Sequence, residues 1–363
     1  MKLMWVVAYV TSYQGGGGSE CTRETVVASE LGIRTNDQRC ETTAMIESKR
    51  TNRRTVLRTI GAGVIGGTVL GTGTAAGRGH RGRPKPDTHE YHAGESVEVE
   101  GGTVEAYATT KPAGDLSSIG VHLDCRALRA FAAGGAHHED MFMTHLDFPD
   151  GVDTHQFTFN GFYYSPEGHP PPGIYDVPHF DIHFNFIEEE VVEAISGGPL
   201  GETPLPFLGL AAYDVPDEQF PPGYEFEELR FIVERMGEHL IDGTAPEFHG
   251  ERFTHTNVYG VYDRSIDPDE PDDWVELPLD PEGDPVEVPV YGATSEGELI
   301  FIEPMITTEF LRRDLEEETA VELATPERYP VADEYPTEYV MTPDGAGGVF
   351  VSLDSFESFP GRC

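Results

Sequence analysis

A seven-residue segment near the middle of the chain combines residue types that bind transition metals. The segment 179–185 reads HFDIHFN, with a polar residue at every second position. Successive side chains of a strand point to opposite faces. One face therefore receives His179, Asp181, His183 and Asn185, and the other receives Phe180, Ile182, Phe184 and Phe186. Because imidazole and carboxylate together suit zinc, iron, manganese or copper, the pattern predicts a divalent-metal site on this strand.

The geometry of a strand limits which of these residues can share one ion. Positions i and i+4 lie about 13 Å apart at ~3.3 Å per residue, so His179 and His183 meet at one ion only if the strand bends. Two neighbours on the face, plus a ligand from elsewhere, make a better site. Asp181 could instead orient one histidine from outside the ligand shell. A helix starting at Pro178 would bring both histidines together and stays open, although aromatic and β-branched residues favour the strand.

Candidate ligands outside the strand are His169, His239 and Glu303. For His169 we favour a turn histidine packed on the prolines 170–172. The predicted metal ligands are therefore His179, Asp181, His183, His239 and Glu303. The competing interpretation is a polar strand face that is hydrogen-bonded inside a barrel or at a subunit contact. The other scattered histidines receive no role: His122, His145, His155, His249 and His255.

The elements that must position these residues are predicted to be mostly strands. Strand-like runs cover 96–108, 118–124, 156–164, 179–187, 254–263 and 298–304. Helical segments are fewer, at 126–133, 188–196, 226–238 and 307–317. The balance favours a mainly β, α+β chain, an antiparallel β sandwich or barrel with short peripheral helices. The acidic, proline-rich segment 267–289 is predicted as an insertion loop between two strands.

Motifs of several common enzyme classes are missing from the sequence. It has no glycine-rich phosphate loop, no nucleophile elbow and no CxxC pair, so we expect no nucleotide cofactor and assign no catalytic residue. An acid/base hydrolase using Asp181 and His183 ranks last, because no nucleophile is visible. Whether the protein is an enzyme, and on which substrate, stays open at this point.

Several segments in order resemble a family of uncharacterised exported proteins of bacteria and halophilic archaea that share a PHFDxHF motif. One bacterial member is controlled by an extracytoplasmic-function sigma factor. The similar segments lie within about 95–315 and are 168–173, 175–184, 236–242, 245–248, 254–262 and 299–307. The chain departs from the family at Asn185 (tyrosine in the family), Leu240 (tryptophan) and Tyr164–Ser165 (tryptophan–asparagine). The resemblance implies export and a homo-oligomer, and it implies no particular reaction.

The first part of the chain has the order of parts of a twin-arginine export signal. Arg53 and Arg54 follow a basic run and precede a weakly apolar, glycine-rich stretch that ends in small residues near Gly77. We predict a mis-assigned extension over 1–44, a signal peptide over 45–77, a linker over 78–94 and one β-rich domain over 95–363. The apolar stretch is too short for a membrane span, so we expect an extracellular or cell-envelope location without one in the mature chain.

Charge changes sign along the chain. Residues 87–363 carry 11 basic and 59 acidic side chains, a net charge of −48. Such a charge destabilises a compact state in dilute buffer, whereas at 1 M salt the screening length is only about 3 Å. We therefore expect a halophilic protein, and a nucleic acid is a poor partner for it. Cys125 and Cys363 are the two cysteines of this region, and their pairing is left open.

Overall fold

The strands of the protein form three sheets. A computed structural model describes residues 89–133, 141–195, 207–227, 229–277 and 285–362. The first sheet contains β1 (Glu90–Val99), β2 (Gly102–Thr110), β3 (Leu116–Leu123), β15 (Thr319–Glu322), β16 (Asp333–Pro343) and β17 (Val349–Phe359). Its spatial order is β1-β2-β3-β17-β16-β15, and every neighbouring pair is antiparallel.

The second sheet carries the residues of chemical interest. It contains β4 (Phe142–Asp147), β5 (Phe159–Ser165), β6 (His179–Asn185), β8 (Tyr224–Phe226), β10 (Glu238–Asp242), β11 (His255–Tyr262) and β14 (Glu298–Thr307). Its order is β4-β5-β6-β14-β11-β10-β8, again antiparallel throughout. A smaller third sheet contains β7 (Phe207–Ala211), β9 (Phe231–Val233), β12 (Asp273–Leu277) and β13 (Val286–Tyr291) in the order β12-β13-β7-β9.

Helices are short and few among the described residues. They are α1 (Cys125–Ala132), α2 (Glu189–Ala194), two 3-10 turns (Asp217–Gln219 and Pro246–His249) and a π-helical turn (Phe310–Asp314). Asp124 caps α1, because its side chain accepts hydrogen bonds from the backbone N–H groups of Arg126 and Ala127. In the described ranges, no helix has both the length and the apolarity needed to cross a membrane.

The core lies between the two large sheets. Their apolar faces contribute to one buried cluster, which contains Val104, Ile119, Val121 and Leu353 from the first sheet and Phe162, Phe180, Ile182 and Ile302 from the second. Fully burying one large side chain of this kind contributes about 1.5–3 kcal/mol. The arrangement is a β sandwich, and within the described residues none of the three sheets closes on itself. The predicted mainly β class is confirmed, as are helices near 126–133 and 188–196.

The predicted helix over 226–238 is wrong. The segment holds the end of β8, all of β9 and the first residue of β10. Arg235 and Gly237 have φ values of 61° and 75° and turn the chain between β9 and β10. A Cβ atom at Gly237 would lie 2.6 Å from the carbonyl oxygen of Val261, so the turn needs glycine there. Pairing of β10 with β8 and β11 overrides the helix-like spacing of the apolar residues.

Other boundaries also differ from the prediction. The run 96–108 is two strands, because Glu100 and Gly101 form a turn with φ values of 47° and 81°. The predicted helix over 307–317 contains only the π-helical turn, and the predicted loop 267–289 contains the β12–β13 hairpin. Strand β1 begins at Glu90, inside the predicted linker 78–94. The three C-terminal strands were not anticipated, and the predicted segments 1–44 and 45–77 lie outside the described residues.

Candidate metal centre

The central strand β6 separates its side chains between the core and the outer face of the second sheet. Phe180, Ile182 and Phe184 lie in the buried cluster between the sheets. His179, Asp181 and His183 alternate with them and are also buried, but on the opposite face. The strand interpretation of this segment is confirmed, and the helical alternative is excluded.

Strand pairing brings Glu303 and His239 to this face. Strand β14 pairs with β6 so that Ile302 lies opposite Phe184 and Met305 opposite Asp181, which places Glu303 opposite His183. His239 reaches the same side from β10, two strands farther along the sheet. Three strands of one sheet, β6, β14 and β10, therefore bring together residues that lie between positions 179 and 303 of the chain.

His169, His179 and Asp181 form a first cluster, the Asp181 group. The Nε2 atoms of His179 and His169 lie 3.0 Å and 3.6 Å from Asp181 Oδ1. One potential ligand atom from each residue lies within 4.8 Å of the other two. The second carboxylate oxygen, Oδ2, accepts a hydrogen bond of 3.1 Å from the Ser165 hydroxyl, which holds the carboxylate in its orientation.

Backbone carbonyl groups fix both imidazole rings of the Asp181 group. His179 donates from Nδ1 to the Val177 oxygen at 2.6 Å, and His169 donates from Nδ1 to the Pro170 oxygen at 2.8 Å. Since Nδ1 carries the proton, Nε2 of each neutral ring is left as an electron-pair donor. This is the arrangement by which proteins present histidine ligands to metal ions.

Two facing atoms of the Asp181 group are buried without hydrogen bonds. Within the described part of the chain, neither His179 Nε2 nor Asp181 Oδ1 has a hydrogen-bond partner, although the two are only 3.0 Å apart. Leaving a buried polar group unpaired costs about 1–3 kcal/mol, and more when the group is charged. A cation between the atoms satisfies both electron pairs at once, so the residues present fit a divalent ion.

The close approach of the imidazoles and the carboxylate shifts the pKa values of the Asp181 group. Burial lowers the pKa of His169, but the close contact with the charged Asp181 carboxylate, 3.6 Å from Nε2, outweighs burial and raises the pKa to about 9. Burial alone would raise the pKa of Asp181, yet the charge of His179 and the contacts with His169 hold it well below its usual range. The metal-free group therefore retains a proton and an ionised carboxylate near neutral pH.

His183, His239 and Glu303 form a second cluster, the Glu303 group. His183 Nε2 lies 3.2 Å from Glu303 Oε1, and His239 Nε2 lies 3.6 Å from Oε2. Among the described residues, His183 Nε2 and Glu303 Oε2 are again buried without a hydrogen-bond partner. Burial lowers the pKa of His239 to about 4, so this ring is neutral at pH 7 and available as a ligand.

The ring of Phe301 packs against both histidines of the Glu303 group. It stacks on His183 with ring centres 4.1 Å apart and lies 5.7 Å from the ring of His239. Space for it exists because residue 260, its cross-strand neighbour, is glycine. A Cβ atom at Gly260 would lie only 2.2–2.4 Å from three atoms of the Phe301 ring.

Each group has one histidine nearer to solvent. The side chains of His169 and His239 are 30% and 21% exposed, whereas those of Asp181 and Glu303 are 4% and 3% exposed. Two imidazoles with one carboxylate are a ligand set of catalytic zinc and of non-haem iron sites, and they leave coordination positions for water or an added molecule. An ion held this way can polarise a carbonyl group or activate water.

The five predicted ligands do not converge on one ion. His179 and Asp181 belong to one group, and His183, His239 and Glu303 belong to the other, as the spacing along a strand requires. His169, interpreted as a turn residue, lies in a loop but also reaches Asp181. The sequence feature that could have indicated this contact is Gly168. Its φ of 74° lets the loop fold back onto the backbone of residues 175–177.

His145, which received no role from the sequence, lies beside the same face. Its Nδ1 atom lies 2.7 Å from Glu189 Oε1, and its Nε2 atom lies 3.0 Å from the Tyr163 hydroxyl. The Tyr163 ring in turn contacts the ring of His183, with centres 4.6 Å apart. His145 could also hold an ion together with Glu189 and the exposed Glu193. Both nitrogens of its ring, however, already have partners. We interpret it as a support for Tyr163.

Comparisons with protein-family models, with curated proteins and with solved structures gave no match. The resemblance to exported proteins of bacteria and halophilic archaea therefore stays a prediction from the sequence.

Proposed function

We propose that the protein binds divalent transition-metal ions at the Asp181 group and at the Glu303 group. The observation that carries this proposal is the facing pair His179 Nε2 and Asp181 Oδ1, which are buried, 3.0 Å apart and not hydrogen-bonded. Fixation of both imidazoles of that group through Nδ1 supports it. Zinc, iron, manganese and copper all suit two imidazoles and a carboxylate.

The competing function is a non-catalytic binding or structural protein in which the same face is a hydrogen-bonded interior or a subunit contact. A hydrogen-bonded interior would pair the ligand atoms with one another. Four of them have no such partner among the described residues: His179 Nε2, Asp181 Oδ1, His183 Nε2 and Glu303 Oε2. Metal binding accounts for all four, and the subunit contact becomes an outcome of the test below.

We further propose that the protein works outside the cell in strong salt. The twin-arginine pattern at Arg53 and Arg54 supports export, and the net charge of −48 over residues 87–363 supports a halophilic habit. Twin-arginine export carries folded proteins, which suits a protein that acquires its ions before it leaves the cell. The resemblance described above supports a homo-oligomer.

Elemental analysis of protein purified in molar salt without a metal-affinity tag tests the proposal. We expect two divalent ions per chain in the wild type and one in His183→Ala. The matched control His255→Ala removes a half-buried histidine that hydrogen-bonds Tyr339 outside both groups, and it should keep two ions. Protein that cannot be loaded with any metal, together with dissociation of an oligomer in His183→Ala, would instead establish the subunit contact.

Ion binding at the Asp181 group should depend steeply on pH. Since the pKa of His169 is raised to about 9, an ion must displace a proton from this ring at neutral pH. The affinity should therefore rise about tenfold for each pH unit until the pH approaches the pKa, and binding should release about one proton. Zinc titrations of Glu303→Gln, which retains only the Asp181 group, in buffers of different ionisation enthalpy measure both quantities. An affinity that stays constant between about pH 6 and pH 8 would contradict this assignment.

A further inference from the structure

The two groups are close neighbours on the same sheet face. Asp181 and His183 are two residues apart on β6, so their Cα atoms lie about 6.6 Å apart at ~3.3 Å per residue. Their charges also interact across the face: the charge of Glu303 contributes to the raised pKa of His169, and the charge of His169 contributes to the lowered pKa of His239. Two ions bound here would therefore share β6, on which a ligand of one ion lies one strand repeat from a ligand of the other.

Both ions would be reached from the same side. The opposite face of β6 and β14 is closed by Phe180, Ile182 and Ile302 in the core. The solvent-side members of the groups, His169 and His239, are the only partly exposed ligands in either group. Each ion would have three protein ligands, and its remaining coordination positions would lie on the partly exposed side of its group, beside His169 or His239.

Charge and spacing define the class of molecule that two ions held in these groups would bind. Two dipositive ions and the two carboxylates of Asp181 and Glu303 leave a net charge of about +2, which favours an anion. Ions that share a single oxygen atom lie about 3.5–4 Å apart. Side chains one strand repeat apart, at roughly 6.6 Å, suit a bridge of several atoms, in which two oxygens of one anion each bind one ion. Chloride offers one atom and cannot bridge in this way.

We propose that the Asp181 group and the Glu303 group act as one two-ion centre that binds a single oxyanion, one oxygen on each ion. The proposal rests on the proposed metal binding and adds to it the pairing of the ions and the chemical class of the ligand. Phosphate, with oxygens on one central atom, represents this class and serves as the probe. His169 and His239 flank the anion on the solvent side.

Calorimetric titration of inorganic phosphate into the fully zinc-loaded chain in molar sodium chloride tests the pairing. We expect one phosphate per chain. Asp181→Asn and Glu303→Gln, which each keep one group, should bind one ion and lose at least about 100-fold in phosphate affinity, because the second attachment is gone. The control Glu247→Gln alters a buried carboxylate that lies outside both groups and accepts a hydrogen bond from Tyr175. It should bind phosphate as the wild type does.

Electron paramagnetic resonance of the manganese-loaded protein gives an independent measure of the distance. Two Mn²⁺ ions in neighbouring groups should show spin–spin coupling in the wild type and in Glu247→Gln, and none in either one-group variant. An uncoupled spectrum at two ions per chain would overturn the pairing, and so would equal phosphate affinity in the one-group variants. A chain that takes up no ion at all would overturn the proposed metal binding as well.

Discussion

Replacing Asp181 with asparagine is expected to remove about half of the thermal stabilisation that zinc confers on the protein. The change preserves the shape of the side chain but deletes the only negative charge of the Asp181 group. An ion present at 100 times its dissociation constant stabilises a folded protein by about 2.7 kcal/mol. Each kcal/mol shifts the unfolding midpoint of a domain somewhat smaller than this one by about 2–4 °C, so each occupied group should add about 5–10 °C.

The measurement is the difference in unfolding midpoint with and without zinc, recorded for each variant in molar salt. Asp263→Asn is the matched control, because Asp263 is buried and bonded to Ser265 and Ser295, outside both groups. Whatever this control costs in stability, it should keep the full zinc-dependent shift. An undiminished shift in Asp181→Asn would show that the stabilising zinc binds elsewhere.

Gly260→Ala should release the ion of the Glu303 group while leaving the Asp181 group loaded. The added methyl group would lie 2.2–2.4 Å from the ring of Phe301, so the ring must move. Because that ring stacks on His183, the movement displaces a ligand of the Glu303 group. Overpacking of this kind costs about 1–3 kcal/mol in stability, and the metal content should fall from two ions to one.

Gly209→Ala separates the effect on the metal from the cost of the clash. A methyl group at Gly209 would lie 2.5 Å from the carbonyl oxygen of Pro289, in the third sheet and away from both groups. We expect this variant to lose stability and to retain two ions. Loss of an ion in both glycine variants would indicate general destabilisation. Retention of two ions in Gly260→Ala would show that Phe301 is not needed to hold His183 in position.

The parts of the fold that could be predicted from sequence are those with strict local periodicity. The alternation from His179 to Asn185 indicates a strand, and the helix predicted over 126–133 corresponds to α1 (Cys125–Ala132). The segment 226–238 shows the limit of such reasoning. Its apolar spacing suits a helix, but the turn at Arg235 and Gly237 and pairing with β11 make it strands. These are interactions with distant parts of the chain, which local spacing does not encode.

In the candidate site, too, local sequence patterns predict some features, and contacts between distant segments decide the others. The strand repeat argues against a common ion for His179 and His183 unless the strand bends, and the structure places these residues in separate groups. Glu303 and His239 were candidates because of their side-chain chemistry. Cross-strand pairing decides that they join His183 and not Asp181. His169 was undervalued because its role depends on how its loop folds back onto β6, and no periodic pattern describes such a loop.

Anomalous scattering from crystals grown with manganese or zinc in molar salt tests the proposed metal binding most directly. Two anomalous peaks are predicted for each chain. One should lie about 2.0–2.2 Å from His169 Nε2, His179 Nε2 and an Asp181 oxygen, and the other at similar distances from His183, His239 and Glu303. Water molecules or direct hydrogen bonds joining these atoms, with no anomalous peak in either group, would contradict the proposal.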